Sequence, residues 1–268
     1  MNKSIKQFFV DALYFPTWGR GIIYVWKRNF MYFRYTLMTA LTWIFIEPIL
    51  YLLALGYGLG RFVTEIDGQN YAHFIAPAMM AISGMFVSFF EGTYSTYTKL
   101  NRQNTYQTMI LTPISPDEVI LGELLWVTSK AFLSVLSVAV VLSVMGLVSI
   151  PALPASLGML LLMCWVFAAF GIWIASLATS YEWFSYSQSG VITPMSLFCG
   201  TYFPIAQLPK ALLIIAYISP LTHGLMSVRM FLAGDFNSNF FVNLGYLLAA
   251  GIIFTNVSSA RMERKLLR

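Results

Sequence analysis

The sequence predicts an all-α polytopic membrane protein. It has six transmembrane helices, an N-terminal interfacial helix, and a re-entrant helical hairpin on the extracellular side between helices 5 and 6. Three observations carry this. The chain of 268 residues is 58% hydrophobic and 10% charged, with mean hydropathy +0.71. Soluble domains are about a quarter charged, and a soluble core of this size could not hide so much apolar surface. Second, long stretches lack Asp, Glu, Lys and Arg: 51 residues from Ala131 to Tyr181, and 25 from Phe236 to Ala260. One crossing takes about 20 apolar residues. Third, 12 of the 16 Lys and Arg residues fall in segments that one alternating topology puts on the same side.

The spans are expected at 35–60, 74–98, 119–149, 154–179, 184–203 and 238–260. Pro151 and Pro154 break the long uncharged run into a tight helical hairpin of spans three and four. Lys3, Lys6, Arg20, Lys27, Arg28 and Arg34 precede span one, Lys99 and Arg102 follow span two, and Arg261, Arg264, Lys265 and Arg268 form the tail. Only Arg61, Lys210 and Arg229 lie on the other side, and Lys130 falls inside a span. The positive-inside rule then puts both termini in the cytoplasm. The chain reads as one membrane domain over 1–268: a cytoplasmic and interfacial segment 1–34, the six-helix body 35–260, and the tail 261–268.

Residues 15–34 alternate basic and aromatic side chains, which suits a helix in the headgroup plane; a charged flank that orients span one is the plainer reading. Between spans five and six, Phe203-Pro204, Leu208-Pro209 and Ser219-Pro220 punctuate two apolar stretches, each too short to cross. Such broken short helices read as a re-entrant hairpin.

Several functions are excluded. Gly-Lys does not occur, so no phosphate-cradling loop is present. Gly56-Tyr57-Gly58-Leu59-Gly60 ends a span and lacks the strand–turn–helix setting of a dinucleotide site. His73 and His223 stand alone, so neither a metal site nor a catalytic constellation is expected. Cys164 and Cys199 read as small buried apolar residues.

Ionisable groups inside spans default to functional hypotheses. Glu47, before Pro48, lines a substrate path or is hydrogen-bonded to a neighbouring helix. Glu91 and Lys130 fall at comparable depths and are expected to pair. Glu123, near the cytoplasmic mouth of span three, either snorkels to water or meets a partner. Trp165, Phe170 and Trp173 cluster in span four, as a stacking surface for substrate or as packing. Tyr181, Trp183, Phe184 and Tyr186 cluster at the next turn, where an aromatic belt is the plainer reading.

Together these features resemble the type-2 ABC exporter permeases. Glu47-Pro48-Ile49-Leu50-Tyr51 leading into Gly56–Gly60, Leu111-Thr112-Pro113 through Val119–Glu123, and Ser219-Pro220-Leu221-Thr222-His223 running to Arg229 and Gly234-Asp235 are similar to the nodulation-factor (NodJ-type) branch. The resemblance covers roughly residues 20–260. It implies a homodimer of permease chains and two copies of a cytoplasmic ABC ATPase. ATP and Mg would be held on the ATPase, with no cofactor on this chain. A short coupling helix in 101–111 would offer Arg102, Gln103, Asn104, Tyr106, Gln107 and Met109 to that ATPase. The hairpin, with Pro204, Pro209, Pro220, His223 and Arg229, would act as an extracellular gate. The cargo would be an amphiphile such as a lipid-linked oligosaccharide or a polysaccharide, exported across a bacterial inner membrane. No nucleic-acid partner is implied. An ion-gradient-driven carrier using Glu47, Glu91 and Glu123 is the main alternative, though no inverted repeat is visible. A membrane-embedded enzyme and a non-transporting scaffold are the others.

Overall fold

The computed structural model describes residues 3–51, 53, 54, 58, 60, 62, 65, 66, 68–235 and 237–267; the side chains of 3–5, 39–45, 47–49 and 51 lie outside that set. Among the described residues the fold is helical, apart from a two-stranded antiparallel ribbon, β1 (Glu65–Ile66) and β2 (Gln69–Asn70). The helices in chain order are α1 (Lys3–Ala12), α2 (Gly21–Tyr51), α3 (Tyr71–Phe90), α4 (Thr96–Asn101), α5 (Thr105–Ile110), α6 (Pro116–Val144), α7 (Leu153–Leu177), α8 (Glu182–Ser187), α9 (Thr193–Phe198), α10 (Lys210–Ile218), α11 (Pro220–Ala233) and α12 (Asn239–Leu266).

Among the described residues, four helical stretches are long and apolar enough to cross a membrane: Tyr71–Asn101, Pro116–Val144, Ile150–Leu177 and Asn239–Leu266. The first is continuous because a π-helical turn, Glu91–Ser95, links α3 to α4. Helices α3, α6, α7, α11 and α12 enclose the main core, in which Ile75, Met80, Met85, Phe89, Met163 and Phe167 are buried. Helix α2 packs along α6, with Phe33 edge-on to Trp126 at 5.5 Å and Trp26 Nε1 donating to Ser129 Oγ at 3.2 Å. Helix α1 lies against α12, where Asn256 Nδ2 donates to the Ala12 carbonyl at 3.0 Å.

Two segments depart from expectation. Residues 15–34 do not form a separate interfacial helix. The helix before the first span is α1, residues 13–20 are irregular, and residues 21–34 continue without a break into the first expected span. Pro16, Gly19 and Gly21 mark the real boundary, and nothing between Gly21 and Pro48 interrupts a helix. The expected fifth span, 184–203, becomes α8, a π-helical turn Gln188–Ile192, and α9. It is helical from Glu182 to Phe198, about 25 Å at 1.5 Å per residue, somewhat less than a bilayer core. Gly200, with φ 79°, ends it.

Helices α10 and α11 meet at Ser219 with a bend of 84°. Ser219 Oγ accepts from Leu221 N at 3.2 Å, and Pro220 opens α11 where its missing N–H costs nothing. The last three carbonyls of α10 lack the i+4 amide partner of a helix interior, and Ala216 O alone has a backbone donor, Ser219 N at 3.1 Å. Each meets a side chain: Ala216 O takes the Thr222 hydroxyl at 2.6 Å, Tyr217 O faces His223 Nε2 at 2.9 Å, and Ile218 O takes the Tyr246 hydroxyl.

Candidate coupling surface and buried charge pairs

The amino-terminal segment, the 99–118 loop and the carboxyl-terminal helix end share one end of the bundle. Arg264 pairs with Asp11 at 2.5 Å, and the Tyr14 hydroxyl donates to Asp117 at 2.9 Å. The segregated basic residues therefore gather there, at what is called below the basic end.

The loop is built by local rules. Thr98 O accepts from both Arg102 N and Gln103 N, closing α4. Asn104 then reverses the chain in the left-handed region, φ 51°, which asparagine tolerates better than most residues. Helix α5 follows for six residues. Ser115 and Glu118 form a capping box, with Pro116 in the first turn, and so start α6.

The six residues expected to face an ATPase divide. Arg102, Gln103 and Asn104 are exposed. Tyr106 is not: it is 1% exposed, packed among Leu100, Ile120 and Leu124. A one-and-a-half-turn helix on a protein surface must bury one face, and Tyr106 is on it. Burial, together with the Glu123 carboxylate nearby, pushes its hydroxyl well above the usual range. Gln107 is half-buried and donates back to Leu100 O at 3.1 Å. Met109 lines a groove of about 370 Å³ between α5 and α2, beside Tyr24, Val25 and Arg28. The apolar residue of this segment that protrudes is Leu111, 86% exposed and not among those six.

Beneath this surface lie two ion pairs. Glu123 neither snorkels nor reaches a surface. It is 1% exposed, with Lys99 Nζ on Oε1 at 2.5 Å and Asn29 Nδ2 on Oε2 at 2.9 Å. The π-helical turn carries Lys99 inward from α4 to meet it. Glu91, at the start of that turn, takes Lys130 Nζ at 2.6 Å and Trp126 Nε1 at 3.4 Å. Lys130 also sits 5.8 Å from the Phe33 ring centroid on α2. Helices α2, α3, α4 and α6 are thus joined by charge below α5. Glu47, the third acidic candidate, has its side chain outside the described residues.

The remaining candidates are spread over other contacts. Trp165 packs against Gly251 and donates to Thr255 at 3.1 Å. Phe170 stands edge-on to Phe254 at 5.3 Å, and Trp173 contacts both Phe254 and Phe8 at 5.8 Å. These three rings fill the seams that α7 makes with α12 and α1 rather than an open face. At the 178–181 turn, Tyr181 and Phe184 pack with Tyr94 and Tyr97, while Trp183 and Tyr186 are exposed. Cys164 and Cys199 are buried free thiols, and no group of three or more His, Cys, Asp or Glu gathers among the described residues.

At the opposite end, Pro204 and Pro209 precede the short helices that open the hairpin region. Arg229 lies over the Phe74 ring at 4.1 Å and lines a cavity of about 980 Å³ with His73, Asn70, Ile205 and Asp235. His223, grouped with the gate, is buried instead. It stacks on Tyr246 at 4.0 Å; Nε2 donates to Tyr217 O at 2.9 Å, and Nδ1 then accepts from the side-chain amide of Asn243, 2.8 Å away. It therefore ties α10, α11 and α12 together. His223→Ala should leave Tyr217 O unpaired and cost about 1–3 kcal/mol. Faster hydrogen exchange confined to α10 and the start of α11 is the expected readout; exchange unchanged there would refute the bridging role.

Comparison with known proteins fits this arrangement. The ABC-2 type transporter family model matches residues 20–232. The chain is similar to Nodulation protein J of Rhizobium leguminosarum bv. viciae, 31% identical over 253 residues, covering 94% of this chain and 98% of the relative. It is 31% identical to Nodulation protein J of Rhizobium meliloti (strain 1021) over 261 residues, covering 97% and 99%. The similarity to Nodulation protein J of Rhizobium leguminosarum bv. trifolii is 32% over 246 residues, covering 92% and 94%. With a family match over most of its length and full-length relatives, this integral membrane chain belongs to the ABC-2 type transporter family.

Proposed function

We propose that this chain is the membrane-spanning permease of an ATP-driven exporter whose hydrolysis site lies on a partner ATPase. The supporting observation is the short helix α5, held on the bundle by buried Tyr106, with Arg102, Gln103, Asn104 and Leu111 facing out. Charge pairs directly beneath it reach α2, α3 and α6. A load applied to such a helix passes into the membrane body rather than dissipating in a loose loop. In this reading the basic end faces the cytoplasm of a bacterial inner membrane, where two ATPase copies hold ATP and Mg. Two copies of this chain form the pathway, and the cargo is an amphiphile such as a lipid-linked oligosaccharide. An ion-gradient carrier is less well supported, because the carboxylates of Glu91 and Glu123 are both engaged by lysines.

The first test is ATPase activity of the purified chain alone and with a co-expressed ATP-binding partner. Silence alone and vanadate-sensitive turnover in a stable complex are expected; failure to associate with any ATP-binding chain would sink the reading. A second test targets the exposed loop. Arg102→Glu combined with Leu111→Asp should leave insertion and melting unchanged, since neither side chain is buried. Loss of an anchor at the centre of an interface costs about 2 kcal/mol or more, so ATPase association should weaken about thirtyfold. Association at the parental level would place the contact elsewhere.

A further inference from the structure

The stretch between α1 and α2 has no secondary structure of its own, yet it is held by two adjacent carboxylates in the first turn of α6. Asp117, 4% exposed, accepts the Tyr14 hydroxyl on both oxygens at 2.9 Å, and Thr17 N at 2.8 Å and Thr17 Oγ1 at 2.9 Å on Oδ2. Burial, with the Asp117 carboxylate beside it, pushes the Tyr14 hydroxyl above its usual range, so it remains a donor. Glu118 accepts Ser115 N at 2.8 Å and Gly21 N at 2.9 Å. One carboxylate thus satisfies a free N–H at the start of two helices, α6 and α2, where negative charge is favoured at both.

A second observation is independent of these bonds. A Cβ placed on Gly19 would lie 2.0 Å from Glu118 Oε1, and one on Gly21 would lie 2.7 Å from its carboxyl carbon. The backbone of the linker passes as close to Glu118 as it does only because both positions are glycine. Just before Ser115 the chain leaves α5 through Leu111, Thr112 and Pro113, all exposed. Helix α1, at the other end of the linker, is fastened to α12 by Asp11–Arg264.

We propose that Asp117 and Glu118 form a rigid joint that makes α5, the 13–20 linker and the start of α2 move as one body. A displacement of α5 would then reach α2 through Glu118, and α1 and α12 through Asp117, without passing along the membrane-buried part of α6. Asp117 and Glu118 are positioning residues in this scheme. Its use in transport rests on the exporter reading above; the rigidity of the joint does not.

The rigidity is measured on the chain alone in lipid nanodiscs, with spin labels on Leu13→Cys and Thr112→Cys. Both positions are exposed, and the native Cys164 and Cys199 are buried. The joined chain should give one narrow distance distribution. Asp117→Asn with Glu118→Gln should broaden it, measured well below the variant's own melting transition, which should itself fall because buried and capping bonds are weakened. Gly19→Ala should do the same by displacing the Glu118 carboxylate, and it keeps the capping residues of α6 should the double variant fold poorly. A distribution as narrow as the parent's in both variants overturns the joint.

Its role is then read in the complex with the ATPase. Each charge-assisted bond favours the joined arrangement by about tenfold or more, so cargo exported per ATP hydrolysed should fall about tenfold in the broadened variants. A chain carrying Thr17→Cys and Asp117→Cys should regain coupling when the disulfide forms and lose it on reduction, in protein that is already folded. Unchanged coupling in a chain with a broadened joint overturns the transmission role. A parent complex that does not export overturns the exporter reading instead, and the distance distribution still decides the joint.

Discussion

Lys99→Met should be among the most damaging single changes available in this protein, costing about 3–5 kcal/mol, because it strands Glu123 as an uncompensated buried charge. Glu123 has no route to water: it is 1% exposed, and its two oxygens are taken by Lys99 and Asn29. Adding Glu123→Gln to Lys99→Met should recover most of the loss. The glutamine removes the charge and keeps an oxygen for Asn29. Lys27→Met, at an exposed position on α2, is the matched control and should change stability by less than about 0.5 kcal/mol. Thermal unfolding of these four proteins and of Glu123→Gln alone, in one detergent, closes the cycle. If Lys99→Met melts like Lys27→Met, or if the double variant is no better than the single, the burial of this pair does not matter energetically. The Glu91–Lys130 pair should respond less. When Lys130 is removed, Glu91 still holds the Trp126 indole N–H and feels the positive charge of Lys99.

That contrast also shows what hydropathy could and could not reveal. The expected spans 119–149, 154–179 and 238–260 fall within about six residues of α6, α7 and α12, because a crossing helix must be at least as long as the apolar layer. The segregation of Lys and Arg anticipates that the two terminal segments and the 99–118 loop meet at one end. Comparable depth was enough to put Glu91 opposite Lys130. The partner of Glu123 was not legible in the same way. Lys99 lies at the edge of its span and turns inward because of a π-helical turn, and one extra residue per turn leaves no mark in periodicity.

Other departures have equally local causes. Composition alone makes residues 15–34 look like one interfacial element, but Pro16, Gly19 and Gly21 divide it, and the breakers outweigh the alternation. The family resemblance implies that Arg102, Gln103, Asn104, Tyr106, Gln107 and Met109 are all offered to the ATPase. A short helix seated on a bundle buries one side, so Tyr106 became an anchor to the membrane body and Leu111 became the exposed knob. Substituting Tyr106 would therefore unseat α5, which is a different experiment from altering the surface that meets a partner. The Asp117–Glu118 joint was half visible. Ser115-Pro116-Asp117-Glu118 spells a helix start, but the reach of both carboxylates to a segment about a hundred residues earlier depends on α2 packing along α6.

Leucine at Gly171 should prevent folding, and leucine at Gly92 should do the same. The two glycines face each other where the π-helical turn Glu91–Ser95 crosses α7. A Cβ on Gly171 would stand 3.1 Å from both Gly92 Cα and Phe89 O, and one on Gly92 would stand 3.0 Å from Ala168 O. The obstacles are backbone atoms of packed helices, which cannot swing aside as a side-chain tip can. Small residues let transmembrane helices approach this closely, and dispersion between the backbones is what holds them, since lipid supplies no hydrophobic drive between helices. Alanine is the weaker probe. The clash of one methyl, about 1–3 kcal/mol, is partly offset by a gain in helix propensity of about 1 kcal/mol. Leucine gains the same propensity and cannot be accommodated. Gly158 gives the control on the same helix, because a Cβ there meets nothing within 4 Å; Gly158→Leu should fold and melt near the parent. The readouts are the yield of monodisperse protein and its melting temperature. Gly171→Leu that folds as well as Gly158→Leu would mean the two helices are not in backbone contact. The crossing matters beyond stability, because Glu91 precedes Gly92 and its direction toward Lys130 is set by that turn. Gly92→Ala, if it folds, should therefore also weaken the Glu91–Lys130 pair, so that adding Lys130→Met costs less in that background than in the parent.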